Sequence, residues 1–176
     1  MSKHQEKQAS PIPDVELKEG GPDKVRVLIL DNDPRMVALI EQTMDEASLA
    51  TRFEHIDVPT SKEARDWMDQ ERFDMLVWCG YGVPRNRQTE YQDASNSESV
   101  CITFGRHQQL NPNMRRIAIV PDDTGNYIKM VCGPLIDKSP FHAEVMAPPD
   151  LDDTGKFRED LTRAVQEQLR NVRNTN

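Results

Sequence analysis

The sequence predicts an α/β fold, a three-layer α/β/α sandwich built around a five-stranded parallel sheet. Short and nearly continuous apolar runs recur along the chain, and such runs are typical of strands that are buried on both faces of a sheet. Amphipathic segments with apolar residues at every third or fourth position separate the first three of these runs. This β-α-β-α-β alternation requires a parallel sheet with right-handed crossover connections.

The first strand and helix are marked by strong local signals. The first predicted strand starts at Lys24 and continues through the apolar run Val25–Leu30. Asp33 and Pro34 follow, a good N-cap and a good first helical residue, so the first helix is expected to begin at Pro34. The predicted buried face of this helix consists of Met36, Val37, Ile40, Met44 and Ala47.

The next strand–helix–strand unit is equally regular. A second strand is predicted over Arg52–Val58 and a third over Met75–Cys79. Between them, Thr60 and Glu63 have the spacing of a capping box, which predicts that the second helix opens directly after Thr60. The residues of this helix that we expect to face inward are Ala64, Trp67 and Met68.

The middle of the chain is less regular. Residues 85–99 are polar and show no clear period, which indicates a long loop or a poor helix. Val100–Phe104 is a candidate for an extra short strand, and Arg116–Pro121 is the best candidate for the fourth main strand. Tyr127–Ile136 is apolar but is interrupted by a Gly-Pro pair, so helix and strand both remain open for this segment.

The chain closes with a short fifth strand, predicted over Ala143–Met146, and an amphipathic final helix. We expect one domain over residues 24–172, with a flexible tail over residues 1–23 and a disordered end over residues 173–176. The predicted inner face of the final helix consists of Phe157, Leu161, Ala164, Val165 and Leu169.

Composition narrows the classes of function. A formal net charge of −8 in 176 residues argues against non-specific binding to nucleic acid or to an anionic membrane, because both favour basic surfaces. Three dispersed cysteines do not make a disulfide framework, and no apolar run is long enough to span a membrane. The N-terminus lacks the apolar core of a signal peptide. We therefore expect a cytoplasmic protein that binds neither nucleic acid nor membrane.

Three segments, in the right order, resemble the receiver domain of response regulators. Val27–Pro34, followed by an amphipathic helix, resembles the start of that domain, and Phe73–Cys79 resembles its third strand. Glu144–Pro148, followed by an acidic turn and a closing helix, resembles its fifth strand and last helix. Residues 85–142 match poorly. The resemblance implies a receiver-like parallel sheet and a role in signalling.

The same resemblance identifies a pocket that departs from the family. In receivers two acidic residues after the first strand hold Mg²⁺, an Asp ending the third strand takes a phosphoryl group, and a Thr or Ser and a Lys read the result. The resemblance places Asp31 and Asn32 at the acidic pair, Cys79 at the phosphoacceptor and Ala147 at the Lys. Pro121 falls near the Thr or Ser, and Thr124 could take that place if the loop is shifted. The losses at the acceptor, the metal ligand and the lysine imply a degenerate receiver, or pseudo-receiver, without phosphorylation chemistry. No metal and no cofactor is expected.

The acidic residues also support a second interpretation. An Asp-x-Asp after a first strand and an Asp-Asp after a later strand resemble haloacid-dehalogenase-type phosphatases. That resemblance implies Asp31 as nucleophile, Asp33 as acid/base, and Asp122 or Asp123 as the residue that completes a Mg²⁺ site. Pro34 departs from that family, and no convincing lysine motif lies between the two acidic pairs. A magnesium-dependent phosphatase therefore stands as the alternative function.

Several of these residues also have simpler structural interpretations. Asp33 is a natural helix cap, Cys79 suits an inert core position, and Asp122 with Asp123 suits a solvated turn. The four histidines lack the spacings that are typical of zinc sites. Structural and functional roles therefore both remain open for these acidic residues and for Cys79.

The predicted function is a phosphorylation-independent protein-interaction or regulatory module, which binds an unknown protein partner or a second copy of itself. The apolar segment before the fifth strand either forms an exposed interface or covers a sheet whose usual helix is missing. Both interpretations remain open. The candidate interface residues are Tyr127, Ile128, Met130, Val131, Leu135, Ile136 and Phe141.

Overall fold

The computed structural model describes residues 24–48, 50–79, 107–121 and 140–173. The strands are β1 (Lys24–Leu30), β2 (Arg52–Val58), β3 (Met75–Cys79), β4 (Arg115–Val120) and β5 (Ala143–Met146). They form one five-stranded sheet in the order β2-β1-β3-β4-β5, and every neighbouring pair is parallel. This order places the first strand inside the sheet and confirms the predicted parallel α/β fold.

The helices are α1 (Pro34–Ala47), α2 (Ser61–Gln70) and α3 (Gly155–Arg173). Both predicted helix starts are confirmed. The Asp33 side chain caps α1 by accepting from the Arg35 backbone N–H, and the Thr60 hydroxyl accepts from the backbone N–H of Glu63 at 3.2 Å. These caps satisfy N–H groups that the first turn of a helix cannot pair internally.

Two apolar cores flank the sheet, because successive side chains of each strand point to opposite faces. Val27 and Ile29 of β1 pack with α1 and α3 on one face. Leu28 and Leu30 pack with α2 on the other face. The continuous apolar run of β1 is thus explained by burial on both sides.

Two details of the sequence prediction are corrected. Trp67 does not face inward, since it is 37% exposed. Ala64 and Met68, one helical turn apart, are the residues of α2 that pack on the sheet, and Trp67 lies at the border of that stripe. The fourth strand ends at Val120 and not at Pro121, because proline has no N–H to continue the ladder.

Part of the sequence prediction concerns residues outside the described ranges. These are the proposed tail over residues 1–23, the polar segment over residues 85–99, the candidate strand Val100–Phe104 and the apolar segment Tyr127–Ile136. Within the described ranges, no helix is long and apolar enough to cross a membrane.

Candidate functional site

The candidate pocket lies at the carboxyl edge of the sheet. Asp31 directly follows β1, Cys79 ends β3, Pro121 follows β4 and Ala147 follows β5. Because the strands are parallel, their carboxyl ends meet at one edge, which is where ligands bind in open α/β sheets. The Ala147 N–H donates to the Val120 carbonyl at 2.8 Å, which continues the β4–β5 pairing up to this edge.

Asp31 is the buried centre of this pocket, with 8% of its surface exposed. Its backbone N–H donates to the Val58 carbonyl at 3.1 Å, and its Oδ1 accepts from the Asp33 backbone N–H at 2.8 Å. Cys79 also hydrogen-bonds the Asp31 carboxyl through its side chain, although a thiol is a weak donor. Oδ2 is otherwise buried without a partner.

This environment disfavours the charged form of Asp31. Burial raises the pKa of the carboxyl from 3.8 to about 6, and the nearby Asp33 carboxylate adds to the rise. Hydrogen bonds from Asp33 and Cys79 act in the opposite direction and limit it. The carboxyl is therefore ionised in most molecules at neutral pH, but it takes up a proton in mildly acidic solution.

Asp33 is engaged in the start of α1. Its Oδ1 accepts from the backbone N–H of Arg35 at 3.0 Å, and its Oδ2 accepts from Arg35 Nη2 at 3.1 Å. The Arg35 guanidinium accordingly holds the pKa of Asp33 below its usual value. The interpretation of Asp33 as a helix cap is confirmed, and both of its oxygens are occupied.

No protein-family model and no curated protein matches the sequence. Solved structures do match. The receiver domain of an HD domain-containing protein from Pseudomonas fluorescens superimposes with a TM-score of 0.55 at 12% identity, over 86% of this chain and 98% of that one. The receiver domain of a sensor histidine kinase from Pseudomonas aeruginosa, with a magnesium ion in its active-site cleft, matches with a TM-score of 0.55 at 14% identity, over 83% and 98%. The chain has the receiver fold.

The same fold occurs in a protein of a different description. A putative pilus assembly protein from Burkholderia thailandensis matches with a TM-score of 0.52 at 10% identity, over 83% of this chain and 98% of that one. At such identities the similarity concerns the receiver fold alone.

The pocket of this receiver fold does not suit Mg²⁺. Mg²⁺ requires hard oxygen ligands in near-octahedral geometry. Asp31 offers a carboxylate, but Asn32 is exposed, Asp33 is occupied by Arg35, and Cys79 is a soft ligand. In the ranges that the structure describes, no three potential ligands are grouped so that they could hold a metal.

Ala147 removes one more charge from the pocket. It is buried beside the end of β4 and presents a methyl group where the receiver resemblance implies a lysine. The described part of the pocket thus contains the Asp31 carboxyl and the Cys79 thiol, which are hydrogen-bonded to each other. Asp122 and Asp123, which the phosphatase interpretation requires, lie outside the described residues.

Of the candidate interface residues, the structure describes Phe141. Its side chain is buried and stacks on Trp78, with ring centroids 5.0 Å apart and an interplanar angle of 13°. In this receiver fold Phe141 therefore belongs to the core and not to an exposed patch. The other candidates lie outside the described residues and stay predictions; they are Tyr127, Ile128, Met130, Val131, Leu135 and Ile136.

Proposed function

We propose that the chain is a phosphorylation-independent interaction module in a signalling or regulatory pathway. The observation that carries this proposal is the presence of the Cys79 thiol against the buried Asp31 carboxyl, at the edge of the sheet where a receiver needs its acceptor Asp. An aspartyl phosphate cannot form at Cys79. Asp31 cannot replace it readily, since one of its oxygens is held by the Asp33 N–H and the other is buried.

The absence of this chemistry leaves binding as the means of regulation. A partner that prefers one conformation of a domain shifts its population without any covalent step. We propose a protein partner or a second copy of the chain as the ligand.

The face formed by β5 and α3 is the proposed docking surface. A groove of about 530 Å³ runs between β5 and α3. Charged residues from both elements line it, including Glu144, Lys156 and Arg163. The apolar segment 127–141 comes directly before β5 in the chain, and we propose that its residues other than the buried Phe141 contribute to the same surface.

The test is treatment with acetyl phosphate, or with beryllofluoride, in the presence of Mg²⁺. We expect no added mass in the intact protein, no change in melting temperature and no change in molar mass by light scattering. A receiver that retains its acceptor Asp, its acidic pair and its Lys should respond to the same reagents. An adduct that hydroxylamine removes, or a change of oligomeric state caused by the reagents, would contradict the proposal.

A further inference from the structure

The final helix α3 has two flanks beside its buried face, and they differ in what covers them. On the first flank, Arg158 donates to Glu46 of α1 at 3.2 Å and to Gln42 at 3.0 Å. Gln166 on the same flank donates to the Ala47 carbonyl at 3.0 Å. The second flank borders β5, which is the outermost strand on that side of the described sheet. The second flank is therefore the one that can meet another molecule.

Four charged residues follow one another along this second flank, and we call them the α3 charge stripe: Lys156, Asp160, Arg163 and Glu167. Spacings of four, three and four residues put them on one face of the helix, over a length of about 17 Å. All four line the groove of about 530 Å³ between β5 and α3. Lys156, Arg163 and Glu167 are exposed, and Asp160 is partly exposed. The stripe is thus accessible to a partner.

The signs of these charges alternate along α3, in the order positive, negative, positive, negative. The stripe therefore has no net charge, so it does not favour a partner that is uniformly acidic or uniformly basic. When the order is read in the opposite direction, every sign is reversed. A second copy of α3 that packs antiparallel consequently presents an opposite charge at each position, whereas a parallel copy presents a like charge at each position.

Two-fold symmetry makes this match reciprocal, because both copies of a symmetric dimer use the same surface and each contact occurs twice. Antiparallel stripes place Arg163 opposite the partner's Asp160 and Lys156 opposite the partner's Glu167, and the two-fold axis repeats both pairs. No like charges of the stripe are then in contact. The whole chain carries a formal net charge of −8, so two copies repel one another at long range. A face without net charge reduces that repulsion locally.

We propose that the α3 charge stripe binds a second copy of this chain in antiparallel orientation and so forms a two-fold dimer. This inference rests on the proposed function, because it names the partner of the docking surface formed by β5 and α3. The groove beside the stripe gives the long side chains of the partner's Lys156 and the partner's Arg163 room to reach their carboxylates. Exposed ion pairs each contribute little, so we expect a weak dimer with a micromolar dissociation constant that rises with salt concentration.

Charge reversal, followed by sedimentation velocity, tests the register of this contact. Arg163→Glu places a carboxylate opposite the partner's Asp160, and Asp160→Lys places an ammonium group opposite the partner's Arg163. Each variant creates two repulsive contacts in the symmetric dimer, so its dissociation constant should rise about tenfold or more. An equimolar mixture of the two variants should recover wild-type association, because the introduced carboxylate then faces the introduced ammonium group. The contact of 3.4 Å between Arg163 and Asp160 within one helix cannot produce this recovery, since both variants lose it.

Lys62→Glu is the matched control. It makes the same change of charge as Arg163→Glu and also breaks an ion pair within a helix, at 2.8 Å to Asp66, but it lies on α2, which packs on the opposite face of the sheet. It should leave the dissociation constant unchanged.

The inference is overturned if the wild type stays monomeric up to about 1 mM, if the dimer survives both charge reversals, or if mixing the two variants does not restore it. An equal loss of association in Lys62→Glu would overturn it as well. The proposed function is tested separately, because an adduct formed with acetyl phosphate would contradict that proposal whether or not the chain dimerises.

Discussion

Replacing Asp31 by asparagine should raise the free energy of unfolding at neutral pH by about 2 kcal/mol. Asparagine keeps the shape of the side chain and an oxygen that accepts the Asp33 N–H, which Asp31 Oδ1 accepts at 2.8 Å. It also removes a carboxylate whose ionised form is disfavoured by burial. The expected gain in stability is large because the buried carboxyl is ionised in most wild-type molecules at neutral pH.

The sign of the pH dependence follows from the direction of the shift. The folded protein has a pKa of about 6 at Asp31, above the unfolded value of 3.8, so it binds more protons between these values. The stability of the wild type should therefore fall as pH rises through this window. The difference in the free energy of unfolding between the wild type and Asp31→Asn should be largest above the folded pKa of about 6, and it should vanish near the unfolded pKa of 3.8.

Denaturation with urea at a series of pH values measures this difference. Asp33→Asn is the matched control two residues away, since the pKa of Asp33 is lowered by Arg35. Its stabilising contribution is present above the unfolded pKa and is lost in acid, so Asp33→Asn should destabilise the protein at neutral pH. If Asp31→Asn is the less stable protein at neutral pH, the description of the pocket is wrong.

Arg26 and Arg116 are both buried in the sheet, and they should respond to the same substitution with opposite signs. Arg116→Met removes a buried charge whose Nε and Nη1 have no hydrogen-bond partner, and it should raise the free energy of unfolding by about 2 kcal/mol. Arg26→Met leaves Glu71 without its partner and should lower that free energy by about 3 kcal/mol. Urea denaturation of the two variants beside the wild type measures both changes. Equal signs for the two substitutions would refute the distinction drawn between them.

Local signals in the sequence predict most of the fold. The strand bounds Arg52–Val58 and Met75–Cys79 agree with the structure. Met75–Cys79 is predictable because apolar composition alone marks a strand that is buried on both faces. The start of α1 at Pro34 is equally local, since a capping side chain and a proline act within one turn. Trp67 is different, because its exposure depends on how α2 is rotated over the sheet.

The site is less predictable than the fold. Resemblance brings Asp31, Cys79 and Ala147 to one edge of the sheet, and the structure places them there. The raised pKa of Asp31 depends on burial by other parts of the chain, which no local pattern encodes. Arg116 is not singled out by the sequence analysis, because its burial also depends on other parts of the chain. Its position two residues before Ala118 on a buried strand is nevertheless a signal that a charged side chain points into a core.

The most direct measurement is the pKa of the Asp31 carboxyl, obtained by nuclear magnetic resonance on protein with isotope-labelled aspartate, with and without millimolar Mg²⁺. A pocket without metal ligands and without phosphorylation chemistry should give a pKa of about 6 that Mg²⁺ does not change. A bound cation would favour the ionised carboxylate and lower this pKa. A pKa that falls when Mg²⁺ is added would contradict a phosphorylation-independent pocket.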